Sequence, residues 1–451
     1  MSAELSESAQ QAVAAALAAG AGDAEAYAAR DSGREVRVHG GEVESLTAAT
    51  QSGIGVRAWI GHRVGYAYGT DFSSTGVETI AARAAAAAAV ADEDEFAAPP
   101  APAEFESIAG LSDPGLAMTT ADQVAELALA VERTALAADP RIAGVEQAVY
   151  ADSAERVAIA SSAGVAGEYE TSGCFAYLQA LAEGDGARET GLGFGLGRGP
   201  DDLDPEAIGA EGAERALSMI GASKPPSRAC PVVLDPTVAA SFAGLIGSAL
   251  GANAVQRGRS PFAGRLGEEL ASAALVLHDD GRDPGGTASA PFDGEGVPRR
   301  RTPLIEAGRL QAFLFDTYTA NREGGSSTGS AARAGYRSLP SVSPSNLVVA
   351  PGELPLGGLL AEARDGVYVT DVAGLHSGVN PVTGVFSVGA SGRAIRDGAL
   401  AEPVREFTIA GDLVSMLAAV TATGSEPRWV PFGGSVSTPP LLIAEMAISG
   451  S

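Results

Sequence analysis

Apolar positions in this chain switch period along its length. Residues Ser8–Ala19 carry closely spaced alanine and leucine positions stopped by Gly20, which predicts a short helix. Arg34–His39 alternates polar and apolar residues before Gly40-Gly41 and predicts a strand. Ile54–Ile60 and Arg63–Tyr68 flank Gly61-His62, the pattern of a hairpin. Thr75 and Glu78 stand at capping-box spacing ahead of a helix to about Val90. Asp92–Pro102, acidic and proline-rich, reads as a linker. Thr120 and Gln123 repeat the capping-box spacing and open a helix to about Ala138. Strands are expected at Gly144–Tyr150, Val157–Ser161 and Cys174–Ala182, and Asp204-Pro205 starts a helix that stops at Gly221.

After a proline-containing joint at Lys224–Arg228 the periodicity becomes mainly that of strands. They are expected at Val232–Leu234, Leu275–His278, Pro303–Ile305, Leu310–Phe315, Leu347–Val349, Val367–Thr370, Val385–Val388, Glu406–Ile409 and Leu441–Ile448, with a turn at Asp397-Gly398. Asp235-Pro236 begins one helix, to about Leu250. The fold class expected is α+β. Residues 1–222 form a mixed N-terminal region with a sub-boundary near 92–115, and residues 223–451 form a sheet-rich domain.

Composition narrows the partners. The 451 residues carry a net charge of −26, and Lys224 is the sole lysine. Such a polyanion is repelled by phosphate backbones and anionic lipid surfaces, so neither nucleic acid nor membrane is expected. No stretch is apolar and long enough to span a bilayer, and Met1–Gln10 lacks the basic residues of a secretory leader. Two distant cysteines, Cys174 and Cys230, indicate no disulfide framework and suit a reducing cytoplasm. Aromatics make up only 5% of residues, so interiors must be filled by small aliphatic side chains. The glycine-rich run Gly191–Gly199 lacks the lysine of a phosphate-binding loop and suits close strand packing or a flexible connection. Among the four histidines, His39, His62, His278 and His376, no two stand at metal-ligand spacing.

Several runs in the second half carry a resemblance. GLHSGVNPVTG at 374–384 continues into VFSVGASG at 385–392, and PFDGEG at 291–296 precedes LIEAG at 304–308. SPSNL at 343–347, PVREFTIAG at 403–411 and TPPLL at 438–442 follow. Singly each is turn chemistry between apolar strands. In this order together they resemble the TldD/TldE (PmbA) family, with looser similarity at GVR 55–57 and GYAY 65–68.

The resemblance implies a zinc-peptidase complex of one TldD-like and one TldE-like chain. TldD-type members carry a His-Glu-x-x-x-His motif on a helix after a strand, and a later cysteine ligand. Here the matching strand is Val232–Leu234, and the motif positions fall on Asp235, Pro236 and Ala240. No cysteine follows Cys230, and the late ligand segment reads FGGS at 432–435. Asp235 and Pro236 have a structural reading as helix cap and first helical residue. The resemblance therefore implies a TldE-like subunit with no metal, no cofactor and no catalytic residue of its own, zinc being held by a TldD-like partner. His376, Ser377 and Asn380 are the candidates for a peptide groove or subunit interface. A cytoplasmic heterodimer acting in proteolysis of peptides or unfolded polypeptides, or in peptide natural-product maturation, is expected. A homodimer of the isolated chain, a stand-alone enzyme with a repurposed site and a homo-oligomeric peptide-binding protein stay open.

Overall fold

The computed structural model describes residues 2–451. The first half is built on one antiparallel sheet. Its strands are β1 (Asp23–His39), β2 (Glu42–Ile60), β3 (Arg63–Gly69), β4 (Ile142–Ser161), β5 (Ala166–Gly184) and β6 (Ala187–Gly197), in the order β3-β2-β1-β4-β5-β6. Helices α1 (Ser2–Ala18), α2 (Ser74–Val90), α3 (Ala121–Ala138) and α4 (Pro205–Leu217) cover one face. The covering contacts are mostly small. Ala9, Ala12 and Ala16 of α1 and Ala81, Ala84 and Ala85 of α2 pack on Ala24, Ala26 and Ala28 of β1. Short side chains bring helix and sheet close, and the glycines of β6 complete this. A Cβ on Gly191 would lie 2.2 Å from the Ala216 nitrogen, and one on Gly193 2.1 Å from the Ile208 carbonyl oxygen. The glycine run is thus a strand in contact with the α4 backbone.

Several expected elements extend or shift. The Gly61-His62 hairpin forms with Ile60 opposite Arg63. The Thr120–Gln123 capping box is present. Helix α2, however, is capped by Ser73, whose hydroxyl accepts from the Gly76 N–H, rather than by Thr75. The two strands expected between residues 144 and 161 are one, because β1 and β5 pair with Ala151–Arg156 on both sides.

The second half contains β7 (Arg228–Leu234), α5 (Pro236–Ala249), α6 (Ala252–Gln256), β8 (Leu277–Asp280), β9 (Arg301–Glu306), β10 (Arg309–Leu310) and α7 (Thr317–Glu323). There follow β11 (Ala331–Ala332), β12 (Ser341–Val342), β13 (Asn346–Val349), α8 (Leu356–Ala363), β14 (Gly366–Ala373), α9 (Leu375–Gly378), β15 (Val385–Arg396) and β16 (Ala399–Asp412). The last elements are α10 (Leu413–Ala418), β17 (Val420–Thr423), β18 (Arg428–Val430), β19 (Ser435–Thr438) and β20 (Leu441–Ser449). One sheet has the order β10-β9-β8-β13-β19-β18, and the other β16-β15-β14-β7-β20-β17. In the second, β16 also pairs with β20, so β7, β14, β15, β16 and β20 close into a ring. The strand expected at Leu310–Phe315 is only two residues long before the chain turns toward α7. The Asp397-Gly398 turn joins β15 and β16 with both residues at positive φ, 49° and 79°, the conformation of a two-residue hairpin.

Helix α5 packs between these two sheets, touching β13, β18 and β19 on one side and β7 and β14 on the other. Its core anchor is Phe242, 5.1 Å from the Phe386 ring. The two halves meet through buried charge. Arg57 of β2 donates to Glu25 of β1 at 2.6 Å and to Glu295 at 3.0 Å, and Arg333 also reaches Glu25.

Candidate functional site

The site begins where β7 delivers the chain to α5. Val232, Val233 and Leu234 are fully buried because β7 lies between parallel β14 and antiparallel β20. The Asp235 N–H donates to the Val369 carbonyl, which fixes the position of the next turn. Asp235 then caps α5, its carboxylate accepting from the Thr237 N–H at 2.9 Å, and Pro236 occupies the first helical position.

The rest of the Asp235 carboxylate is committed. The Tyr368 hydroxyl of β14 donates to it at 2.7 Å, and Arg215 of α4 lies at 3.4 Å. Burial, then Asp235, pushes the Tyr368 phenol far above its usual range. Burial works against the Arg215 charge, yet Asp235 and Glu211 outweigh it and raise its pKa. The network continues outward. Arg215 pairs with Glu211 at 3.1 Å, and Glu211 accepts from Arg428 of β18 at 2.9 Å. The Arg428 guanidinium lies over the Phe194 ring at 3.8 Å from its centroid, and Phe432 meets that ring edge-on at 5.3 Å.

A metal ion finds no donor set here. Asp235 offers one carboxylate already shared among three donors, Pro236 offers nothing, and Ala240 turns a methyl group into the core with no exposed surface. Phe432, Gly433 and Gly434 follow β18, and the Gly433 carbonyl packs against Gly244 of α5. Among the described residues no group of three or more His, Cys, Asp or Glu side chains is placed to hold a metal ion.

Phe194 and Arg428 also line a hollow of about 400 Å³, which shares Leu196 and Thr287 with a cavity of about 680 Å³. The larger cavity has the helix-free face of the N-terminal sheet as its floor and residues 333–337 as its opposite wall. Asp31 and Glu155 are cross-strand neighbours on that floor. Burial, then the Asp31 charge, raises the Glu155 pKa. The two cavities adjoin at Leu196 and Thr287, and the smaller one reaches the ion network at Arg428.

His376, Ser377 and Asn380 stand apart. They follow β14 on and after the short helix α9, and all three are exposed. The Ser377 hydroxyl donates to the Gly374 carbonyl, and the Asn380 side chain accepts from the Val382 and Thr383 N–H groups at 2.9 and 3.2 Å. The Asn380 amide oxygen is thus occupied in its own turn. Among the described residues no hydrogen bond or ion pair joins this loop to Asp235. The residues missed in the sequence are Arg215, Glu211, Arg428 and Tyr368. Only the four-residue spacing of Glu211 and Arg215 on a predicted helix offered a signal.

Three matches cover most of the chain. Residues 227–450 match the PmbA/TldA metallopeptidase C-terminal domain, 114–220 its central domain and 24–91 its domain 1. The metalloprotease PmbA of Escherichia coli O157:H7 is 28% identical over 441 residues, covering 96% of this chain and 94% of that one. A metalloprotease TldD homolog of Haemophilus influenzae is 27% identical over 428 residues, covering 88% and 87%. TldE from Thermococcus kodakarensis has the same fold in its crystal structure, with a TM-score of 0.91, 23% identity and coverage of 98% and 100%.

Proposed function

Because the chain belongs to the PmbA/TldD metallopeptidase family, we propose that it is the metal-free, TldE-like subunit of a peptidase complex. A TldD-like chain supplies the zinc, and this chain completes the path of a peptide substrate. One observation carries the reading. The helix that would present metal ligands is kept, while its first position is a capping aspartate tied to Tyr368 and Arg215, and its later position is a buried alanine. An ion network stands where water-activating chemistry would need an open metal position.

The pair of cavities beside that network supports a substrate-holding role. The floor of the larger cavity is a β-sheet face, and the mixed polar and apolar lining suits an extended polypeptide held with little sequence preference. The His376 side chain is exposed and has no hydrogen-bond partner among the described residues, which suits a meeting with a substrate or the partner subunit.

Purified chain is expected to hold far less than one zinc per molecule by elemental analysis and to leave peptides uncut. Mixed with a TldD-like subunit it is expected to support chelator-sensitive hydrolysis. His376→Ala should keep the melting temperature and lower activity per assembled complex. A tightly held zinc, or hydrolysis by this chain alone, would overturn the reading.

A further inference from the structure

The smaller of the two cavities, of about 400 Å³, lies between the end of β6 in the first half and β18 in the second. The odd-numbered positions of β6 are glycines pressed against α4 and the turn before it, as Gly193 is against Ile208 and Gly197 against Asp202. Alternation along the strand therefore turns Phe194, Leu196 and Arg198 to the opposite face, where all three line the cavity. Trp429, Gly285 and Thr287 line it from the second half.

Charge in this cavity is not balanced. Arg428 is committed, its guanidinium bonded to both oxygens of Glu211 and to the Phe194 carbonyl at 2.6 Å. Arg198 has no such carboxylate. Its guanidinium donates only to main-chain carbonyls, those of Ser172 at 3.0 Å, Pro284 at 3.3 Å and Gly286. These bonds leave part of the five-donor guanidinium unused. The one carboxylate among the lining residues, Asp202, accepts from the Arg198 and Gly199 N–H groups at 2.7 and 3.2 Å and forms no ion pair with the Arg198 side chain. In Arg57 and Arg215 burial is outweighed by paired carboxylates and the pKa rises, whereas in Arg198 burial prevails over the Asp202 charge and the pKa falls. In a chain of net charge −26, a half-buried cation thus stands without an ion-pair partner among the described residues. Cations removed from water are ordinarily paired.

Two neutral donors stand in the same lining. Trp429 Nε1 and the Thr287 hydroxyl have no hydrogen-bond partner among the described residues. A Cβ on Gly285 would lie 2.7 Å from Trp429 Nε1, so glycine there leaves room at the indole N–H. We propose that this cavity is a subsite for a peptide carboxylate, held by Arg198, Trp429 Nε1 and the Thr287 hydroxyl, with the adjoining peptide against Phe194 and Leu196. A carboxylate brings the single negative charge that Arg198 lacks, and a charge-assisted hydrogen bond with it. A polyphosphate or nucleic acid would add further negative charge beside Asp202 and the acidic body of the chain. Thr287 and Gly285 are exposed, which gives the ligand entry from solvent. Arg428 joins the subsite to the network of Glu211, Arg215 and Asp235. That the carboxylate belongs to a peptide rests on the peptidase-complex reading, while the preference for a carboxylate rests on the cavity alone.

The test is isothermal calorimetry on the full-length chain at low salt, where charge pairing is least screened. The probes are N-acetylated alanine peptides with a free C-terminal carboxylate, with a C-terminal amide, and with a C-terminal amide plus a central glutamate or glutamine. Where the terminal carboxylate is the ligand group, the free acid should bind about ten-fold or more tightly than its amide. Where a side-chain carboxylate is, the glutamate amide should exceed the glutamine amide by a similar factor, and either contrast supports the subsite. T287V/W429F removes two donors that bond nothing else in the described structure, so it should keep its secondary structure and lose most of the contrast. Arg198→Gln should abolish the contrast. It also frees three carbonyls, so its melting curve is read alongside, and if it fails to fold the decision falls to T287V/W429F. Equal binding of all four peptides, binding of none, or a contrast undiminished in folded T287V/W429F would overturn the proposal. Zinc content and hydrolysis decide the metal-free reading separately, so a zinc-free chain that binds peptides without regard to their carboxylates would sink the subsite alone.

Discussion

Replacing Asp235 by alanine removes two kinds of contact whose costs can be set separately. The cap to the Thr237 N–H is lost, at about 1 kcal/mol for an aspartate cap. The Tyr368 hydroxyl, 2.7 Å from the lost carboxylate in a buried position, is left without an acceptor, which costs about 1–3 kcal/mol. Arg215 retains Glu211 at 3.1 Å, so its share is small. The expected total is about 2–4 kcal/mol, read from urea unfolding midpoints at neutral pH with an unchanged slope. Asp235→Asn keeps an acceptor for the cap and should cost less. The test of mechanism is a double-mutant cycle. Tyr368→Phe removes the group left unsatisfied, so D235A/Y368F should be less damaging than the sum of the singles by about 1 kcal/mol or more. If Asp235→Ala changes stability by less than about 0.5 kcal/mol, the range of ordinary surface substitutions, or the cycle is additive, Asp235 is not the structural post described. The capped-helix observation that carries the proposed metal-free reading then fails with it.

Two further outcomes follow from packing and burial. Gly193→Ala forces a Cβ to within 2.1 Å of the Ile208 carbonyl oxygen and 2.7 Å of the Gly212 nitrogen, so it should destabilise by about 1–3 kcal/mol or more, while Gly144→Ala, with nothing within 4 Å, should be near neutral. Equal melting temperatures for the two variants would refute the close strand–helix contact. Asp279 is buried and accepts from the Ser345 N–H and hydroxyl at 2.7 and 2.9 Å, but burial outweighs these bonds and pushes its pKa up to about 6 from 3.8. A raised folded-state value means its contribution is full below the ordinary pKa and lost as pH rises through the folded one. Wild-type stability relative to Asp279→Asn should therefore fall between about pH 4 and pH 6 and level off above it. A pH-independent difference would count against a protonated buried Asp279.

Legibility in the sequence followed the range of the interaction. The Gly61-His62 and Asp397-Gly398 turns, the Thr120 capping box and the Asp235-Pro236 helix start were readable because each is chemistry between a side chain or φ angle and backbone a few residues away. The early part of β1, Asp23–Ala29, was not. Alanine has little strand preference, and these residues are held extended by pairing with Gly53–Trp59 and Val157–Ser161 and by helices packed above them. The same long-range pairing fused two expected strands into β4. At the site, the Asp235 cap was legible and its partners were not, since Arg215, Tyr368 and Arg428 come from three distant elements. The exposure and self-bonding of the His376–Asn380 turn likewise depend on how β14 and β15 meet.

The closed ring of strands sets a schedule for biosynthesis. Strand β7 is translated at residues 228–234, yet one of its two neighbours, β20, spans residues 441–449. A nascent chain emerging from the ribosome holds β7 with that side unsatisfied for some two hundred residues of synthesis, and long-range closure of this kind is slow. The N-terminal sheet needs nothing beyond residue 197 for its pairing and can form first. Helix α5, and with it the Asp235 network, is seated on β7, so its final setting waits for the last strand to dock. A chaperone that shields the apolar flank of β7 would act on this interval, and a ribosome stalled before codon 441 would release a chain with a finished first half and an open ring.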